Sequence, residues 1–184
     1  MCLIAVAPKG LKIPLSGLKV SAKRNKDGFG FMINGEHGTV IKKGFRGLTS
    51  MYRAYLTEFK ENPNREFAIH LRKASVGGIS AELSHPFTFG ETGGLVHNGT
   101  IHGLGSTGKS DSMLLAKMLG DLPGWSKSKE MLSLIEEYVG VSRVVTFQDG
   151  ELTVINGEGG MALDGIWYSN DSILVDSGKK DVTK

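Results

Sequence analysis

The chain has a single cysteine, Cys2, in 184 residues. No intrachain disulfide is possible, and this usage fits a reducing compartment. Long hydrophobic runs are also missing. The apolar stretch after Met1 ends at Pro8-Lys9-Gly10, shorter than the core of a secretory signal, and nothing approaches the roughly 18 apolar residues of a membrane span. Charge of one sign is scarce: 22 Lys and Arg against 19 Asp and Glu leave a net charge of +3. With no basic stripe interleaved with aromatics, that balance argues against a nucleic-acid partner. The expectation is a cytoplasmic protein with neither membrane nor nucleic acid as partner. No internal repeat and no linker divide the sequence, so one domain over residues 1–184 is expected, with 177–184 a frayed polar tail.

Glycine is what the chain has in excess. The 26 glycines are scattered, which suggests tight turns and close backbone approaches in a strand-rich protein. Apolar runs predict strands at 2–7, 27–33, 39–43, 65–72, 94–97, 141–147, 152–155, 166–168 and 173–175. Residues 8–27 read as a loop without periodicity. Met51, Tyr52, Tyr55, Leu56 and Phe59 recur at helical spacing behind Thr49 or Ser50 as the cap, and Pro63 stops that helix. Two further helices are expected near 111–119 and 128–139, capped by Ser110 and Ser128 and ended by Gly120 and Gly140. Strands, helix, strands, two helices, strands: this order favours an α+β layered core with mainly antiparallel sheets over βαβ repetition.

Chemistry enters at Cys2. Removal of Met1 makes it the N-terminal residue, with a thiol and a free α-amine on one residue. A terminal amine titrates near about 7.7–8.0, so nucleophile and base come together. Asn98-Gly99, at a strand end, offers one side-chain amide and one backbone N–H to an oxyanion. Arg72 suits a bidentate grip on a carboxylate, with the Ser75 hydroxyl beside it, and Asp111 suits an ammonium.

A second motif competes for part of this stretch. Gly103-Leu104-Gly105-Ser106-Thr107-Gly108-Lys109-Ser110 satisfies G-x-x-x-x-G-K-[ST], the phosphate-cradling loop of nucleotide hydrolases, and it lies between a strand and a helix. Asp149 and Asp176, each ending an apolar run, are candidates for holding magnesium in that reading. Against it, about 75 residues follow the loop, few for a parallel nucleotide-binding sheet, and they read as hairpins turning at Asp149-Gly150.

The order of the remaining motifs decides between the two. Cys2, Asp27-Gly28-Phe29-Gly30, His70-Leu71-Arg72-Lys73-Ala74-Ser75, His85-Pro86-Phe87, Val96-His97-Asn98-Gly99-Thr100-Ile101 and Ser110-Asp111-Ser112 together resemble the class II glutamine amidotransferase domain of the N-terminal nucleophile hydrolases. The resemblance runs from Cys2 to about Leu119, and Gly165-Ile166-Trp167-Tyr168-Ser169-Asn170 looks like the strand near the end of small stand-alone members. It implies a four-layer αββα sandwich and hydrolysis of the glutamine side-chain amide through a thioester, with no metal and no cofactor. It makes Cys2 the nucleophile and its α-amine the base, with Asn98 and Gly99 as the oxyanion hole. Arg72 and Ser75 would take the substrate α-carboxylate, Asp111 its α-ammonium, and His85 would support the site.

Three positions depart from the pattern: Lys73 stands where an aromatic is usual, Leu71 replaces a small polar residue, and Ser75 replaces threonine. The lysine leaves open whether glutamine or another γ-glutamyl amide is the substrate. The ammonia acceptor would be a separate partner protein, or the activity a simple glutaminase. A catalytically silent binding protein of the same fold is the third alternative.

Overall fold

Alternation in β1 (Leu3–Ala7) sets the layering. Leu3, Ala5 and Ala7 face one way, Ile4 and Val6 the other, and all five are buried. A strand buried on both faces must be covered twice. The structure, a computed structural model, describes residues 1–74, 80–105 and 108–174 and shows what covers it.

β1 lies inside a six-stranded sheet with β2 (Gly28–Gly35), β3 (Gly38–Phe45), β4 (Phe67–Arg72), β9 (Met161–Leu163) and β10 (Ile166–Tyr168), in the order β3-β2-β4-β1-β10-β9. A second sheet runs β5-β6-β7-β8, from β5 (Phe87–Phe89), β6 (Gly93–Asn98), β7 (Arg143–Gln148) and β8 (Glu151–Ile155). Every pairing in both is antiparallel.

Three apolar clusters bind four layers. α1 (Leu15–Ala22) and α2 (Leu48–Glu61) cover the outer face of the first sheet, with Leu18, Met51, Tyr52 and Tyr55 against Leu3, Ala5, Phe31 and Ile69. α3 (Asp111–Gly120) and α4 (Lys129–Val139) cover the second, with Leu115, Leu119, Ile135 and Val139 against Leu95 and Val144. Between the sheets Ile4, Val6, Met32 and Ala68 meet Val96, Val145 and Phe147. The result is the expected αββα sandwich of antiparallel sheets.

Several local expectations differ. The stretch read as a loop contains α1, which starts after Pro14 and buries Leu18 and Ser21. Its apolar stripe is too short to register as periodic among the surrounding lysines. Leu174 belongs to no strand: its N–H reaches the Asp171 carbonyl in a turn, and this turn lets Ile173 pack on Gly17 of α1. Gly47 caps α2, and Ser50 Oγ donates back to the Gly47 carbonyl. Gly120 is the last residue of α3, with Asp121 as its C-cap. β5 and β9 are three-residue strands with no period to read. Ser110 and Ser128 do cap α3 and α4, and Gly140 ends α4. Val175 and the polar tail lie outside the described residues.

Candidate functional site

Cys2 sits one residue ahead of β1, and the β1–β4 register (Leu3 opposite Leu71) carries it beside Arg72 and Lys73. Its thiol accepts the Lys73 N–H at 3.3 Å and lies 3.5 Å from the Lys73 carbonyl. Its own carbonyl accepts Asn170 Nδ2 at 2.7 Å, so the residue is held from two directions. Burial pushes the thiol's pKa up; the Lys73 N–H, the terminal amine and Arg72 work against this, and the Asp111 carboxylate adds to it. A thiol in such a place rests protonated and needs a base at hand.

Arg72 ends β4 and is only 4% exposed. Gly28 lies across from it, too close for any side chain, since an added Cβ would run into Ser84. Gly30 works in the same way: its missing Cβ leaves room for the His85 carbonyl and for Lys42 O, 2.9 Å from where the Cβ would stand. The glycines of β2 thereby let the segment carrying His85 lie directly on the sheet.

β6 delivers Asn98 and Gly99 at its end, and α3 delivers Asp111 in its first turn. The Asp111 carboxylate is oriented by three donors: Ile101 N–H at 2.9 Å, Ser112 N–H at 2.8 Å and Ser112 Oγ at 3.2 Å. Ser112 Oγ also contacts His97 Nδ1 at 2.8 Å, and His70 Nε2 meets the His97 carbonyl at 3.0 Å. His85 stacks on His70 with ring centroids 4.1 Å apart. All three histidines are buried and their pKa values lie below the ordinary one.

Cys2, Arg72, His85, Gly99 and Asp111 line one cavity of about 30 Å³, with Lys73, His97 and Ser112. Five residues singled out in the sequence, up to 109 positions apart, therefore meet at one place. Asn98 does not line the cavity. It is buried beside Gly99, with its Nδ2 donating to Ser169 Oγ at 2.9 Å. Ser75 lies outside the described residues. A larger cavity of about 370 Å³ opens beside Lys26, Asp27, Arg46 and Ser80, and holds none of these groups. No cluster of His, Cys, Asp or Glu suited to a metal occurs among the described residues.

Four contributors went unassigned in the sequence although the quoted motifs contain them: His97, Ser112, Ser169 and Asn170. The only signal available for them was their place beside assigned residues, as in His97-Asn98 and Asp111-Ser112.

The nucleotide-loop reading loses its context. The strand before Gly103–Ser110 pairs antiparallel on both sides, and the Ser110 hydroxyl accepts the Met113 N–H as the cap of α3. A phosphate-cradling loop instead leaves a strand of a parallel sheet.

No protein-family model matches the sequence, and no match is found among curated proteins. Solved structures do match. The glutamine phosphoribosylpyrophosphate amidotransferase of B. subtilis, complexed with ADP and GMP, superposes with a TM-score of 0.56 over 91% of this chain at 15% identity. A structure described as the allosteric regulatory enzyme of purine biosynthesis gives 0.62 over 91% at 18% identity. In both, the match spans only 41% of the other protein's length. The chain thus has the fold of the class II glutamine amidotransferase domain, the αββα sandwich of the N-terminal nucleophile hydrolases.

Proposed function

We propose that the protein hydrolyses the side-chain amide of glutamine, or of a related γ-glutamyl compound, through a thioester on Cys2. The observation carrying this is the single cavity in which the thiol meets Arg72, Gly99 and Asp111. With Met1 removed, the Cys2 α-amine takes the thiol proton and the sulfur attacks the amide carbon. The Gly99 N–H and the Asn98 amide receive the charge on the oxygen. The amine returns its proton to the departing nitrogen, ammonia leaves, and a γ-glutamyl thioester remains. Water then attacks that carbon, its proton passes through the amine to sulfur, and glutamate leaves.

The two charged residues give selectivity for an amino acid head group. Arg72 pairs the α-carboxylate, aided by Ser75. An ionised carboxylate has about four acceptor sites, and three donors already hold Asp111, which leaves room for an α-ammonium. A substrate lacking either charge leaves the partner buried and unpaired, a strong penalty. The cavity admits about one water molecule, so binding displaces part of its wall; the exposed Lys73 side chain is the part best placed to swing away.

Ammonia release from glutamine and a panel of γ-glutamyl amides is the test. Activity is expected in protein whose mass spectrum begins at Cys2, and Cys2→Ala is expected to lose at least a thousandfold. Active protein that retains Met1 would rule the mechanism out. Release without any added partner marks a glutaminase; release only when an acceptor protein is supplied marks ammonia transfer.

A further inference from the structure

Ser169 follows β10 and is completely buried. Its hydroxyl oxygen lies at a junction of three segments. Ile4 N–H donates to it at 2.9 Å, Asn98 Nδ2 at 2.9 Å, and Asn170 Nδ2 at 3.5 Å. The next residue, Asn170, donates to the Cys2 carbonyl. One dipeptide therefore ties the strand bearing the nucleophile to the turn at Asn98-Gly99.

The donor count at this junction does not balance. A serine oxygen has two lone pairs and one proton. Three N–H groups converge on it, and none of these contacts accepts its own proton. Meanwhile Asn98 Oδ1 is buried with no partner among the described residues. Rotating the Asn98 amide by half a turn gives the Ser169 proton an acceptor and the Asn98 oxygen a donor, and leaves the NH2 as the group without a partner among the described residues. Ser169 O–H then donates to the amide oxygen, the Ile4 N–H keeps its acceptor, and the NH2 moves to the place now held by the orphaned oxygen. Nitrogen and oxygen of such an amide are told apart only by their hydrogen-bond partners, and the rotated form is the one in which the Ser169 hydroxyl both donates and accepts in full.

We propose that Ser169 is a positioning residue: its hydroxyl holds the Asn98 amide by the oxygen and so commits the NH2 to the oxyanion. This rests on the amide-hydrolysis reading for its catalytic consequence, but not for the orientation itself. Without the hydroxyl the amide loses the one contact in which its oxygen accepts from Ser169. An amide turned the other way presents an oxygen to a developing negative charge.

Two measurements on the full chain starting at Cys2 decide it. Neutron diffraction from deuterated crystals is expected to show the Ser169 deuteron directed at Asn98 oxygen, with the ND2 group facing away from Ser169. The opposite orientation overturns the proposal whether or not the protein proves to be an amidohydrolase. For catalysis, Ser169→Ala is expected to lower kcat for glutamine by about 10–100-fold, less than the loss of about 10²–10³ for removing an oxyanion donor. KM and the rate of Cys2 alkylation by iodoacetamide should stay within twofold, since neither needs an oxyanion. In an Asn98→Ala background, Ser169→Ala should have no further effect on kcat. An unchanged kcat in the single variant, an alkylation rate that falls with it, or fully additive losses in the double variant each overturn the catalytic role. Absence of ammonia release by the unsubstituted chain removes the amide-hydrolysis reading and leaves the neutron result to decide the orientation.

Discussion

At the scale of single residues, Gly99 leaves no room for a side chain. Its φ of 152° suits glycine, and an added Cβ would approach Ser142 Cβ at 2.7 Å and Ser142 Cα at 2.9 Å. The first clash is with a side chain, but the second is with backbone at the entry to β7 and has nowhere to go. Gly99→Ala is therefore expected to destabilise the protein by about 2–3 kcal/mol, the sum of strain and overpacking. Urea unfolding followed by circular dichroism measures this. Ser142→Gly should restore part of the loss, because it removes the hydroxyl and Cβ but leaves φ and the nearby backbone where they are. A fully tolerated Gly99→Ala would mean that the turn is not held where Asn98 and Gly99 now place it. Asn-Gly is visible in the sequence as a turn, yet Ser142, 43 positions away, is not visible as its neighbour. The same holds for Ser169, 165 positions from Ile4. Residues proposed to make chemistry are legible when motif order carries them; those that hold them are not, because their pairing exists only in three dimensions.

At the scale of elements, α3 links folding to the site. Ser110 caps it, Asp111 opens it, and both line the cavity at Cys2. Ser128 caps α4 with the same geometry, its oxygen accepting Met131 N–H at 3.2 Å, but lines no part of that cavity. Replacing either serine by alanine is expected to cost about 1 kcal/mol of stability. Only Ser110→Ala should also raise KM for glutamine, since loosening the first turn displaces the carboxylate proposed to face the substrate ammonium. Equal effects on KM, measured beside equal losses in urea midpoint, would separate α3 from substrate binding. Both caps are legible in the sequence because the signal is local: serine ahead of an apolar-periodic segment. α1 is not, for its eight residues hold few apolar positions and its stability comes from Leu18, Ser21 and the turn at Ile173. Strands buried on both faces, such as β1 and β4, are legible as apolar runs. Which strand pairs with which is not, and β10 next to β1 joins the end of the fold to its beginning.

At the scale of the whole molecule, the space between the sheets has two characters. One part is apolar, where Ile4, Val6, Met32 and Ala68 meet Val96, Val145 and Phe147. The other is polar, where His70, His85 and His97 gather from β4, the segment before β5, and β6. Burial lowers the pKa of each. For His70 it reaches about 3, despite the opposing pull of the His97 carbonyl. For His85 burial is joined by the charges of the neighbouring histidines. The folded protein thus keeps these rings neutral, whereas the unfolded chain protonates them below about 6.5. Between those limits the unfolded state binds more protons, so stability must fall as pH falls, by about 1.4 kcal/mol per pH unit for His70 alone. Above about pH 7 both states are neutral and the effect vanishes. The urea midpoint is therefore expected to be flat from pH 8 to 7 and to drop steadily from pH 6.5 to 5. His85→Phe, which keeps an aromatic ring against His70 and Phe87, should make that drop shallower by the share of one proton. A midpoint that does not move between pH 7 and 5 would place these rings in contact with water, and the two sheets would then not enclose the polar end of their interface as tightly as the catalytic reading of the neighbouring cavity requires.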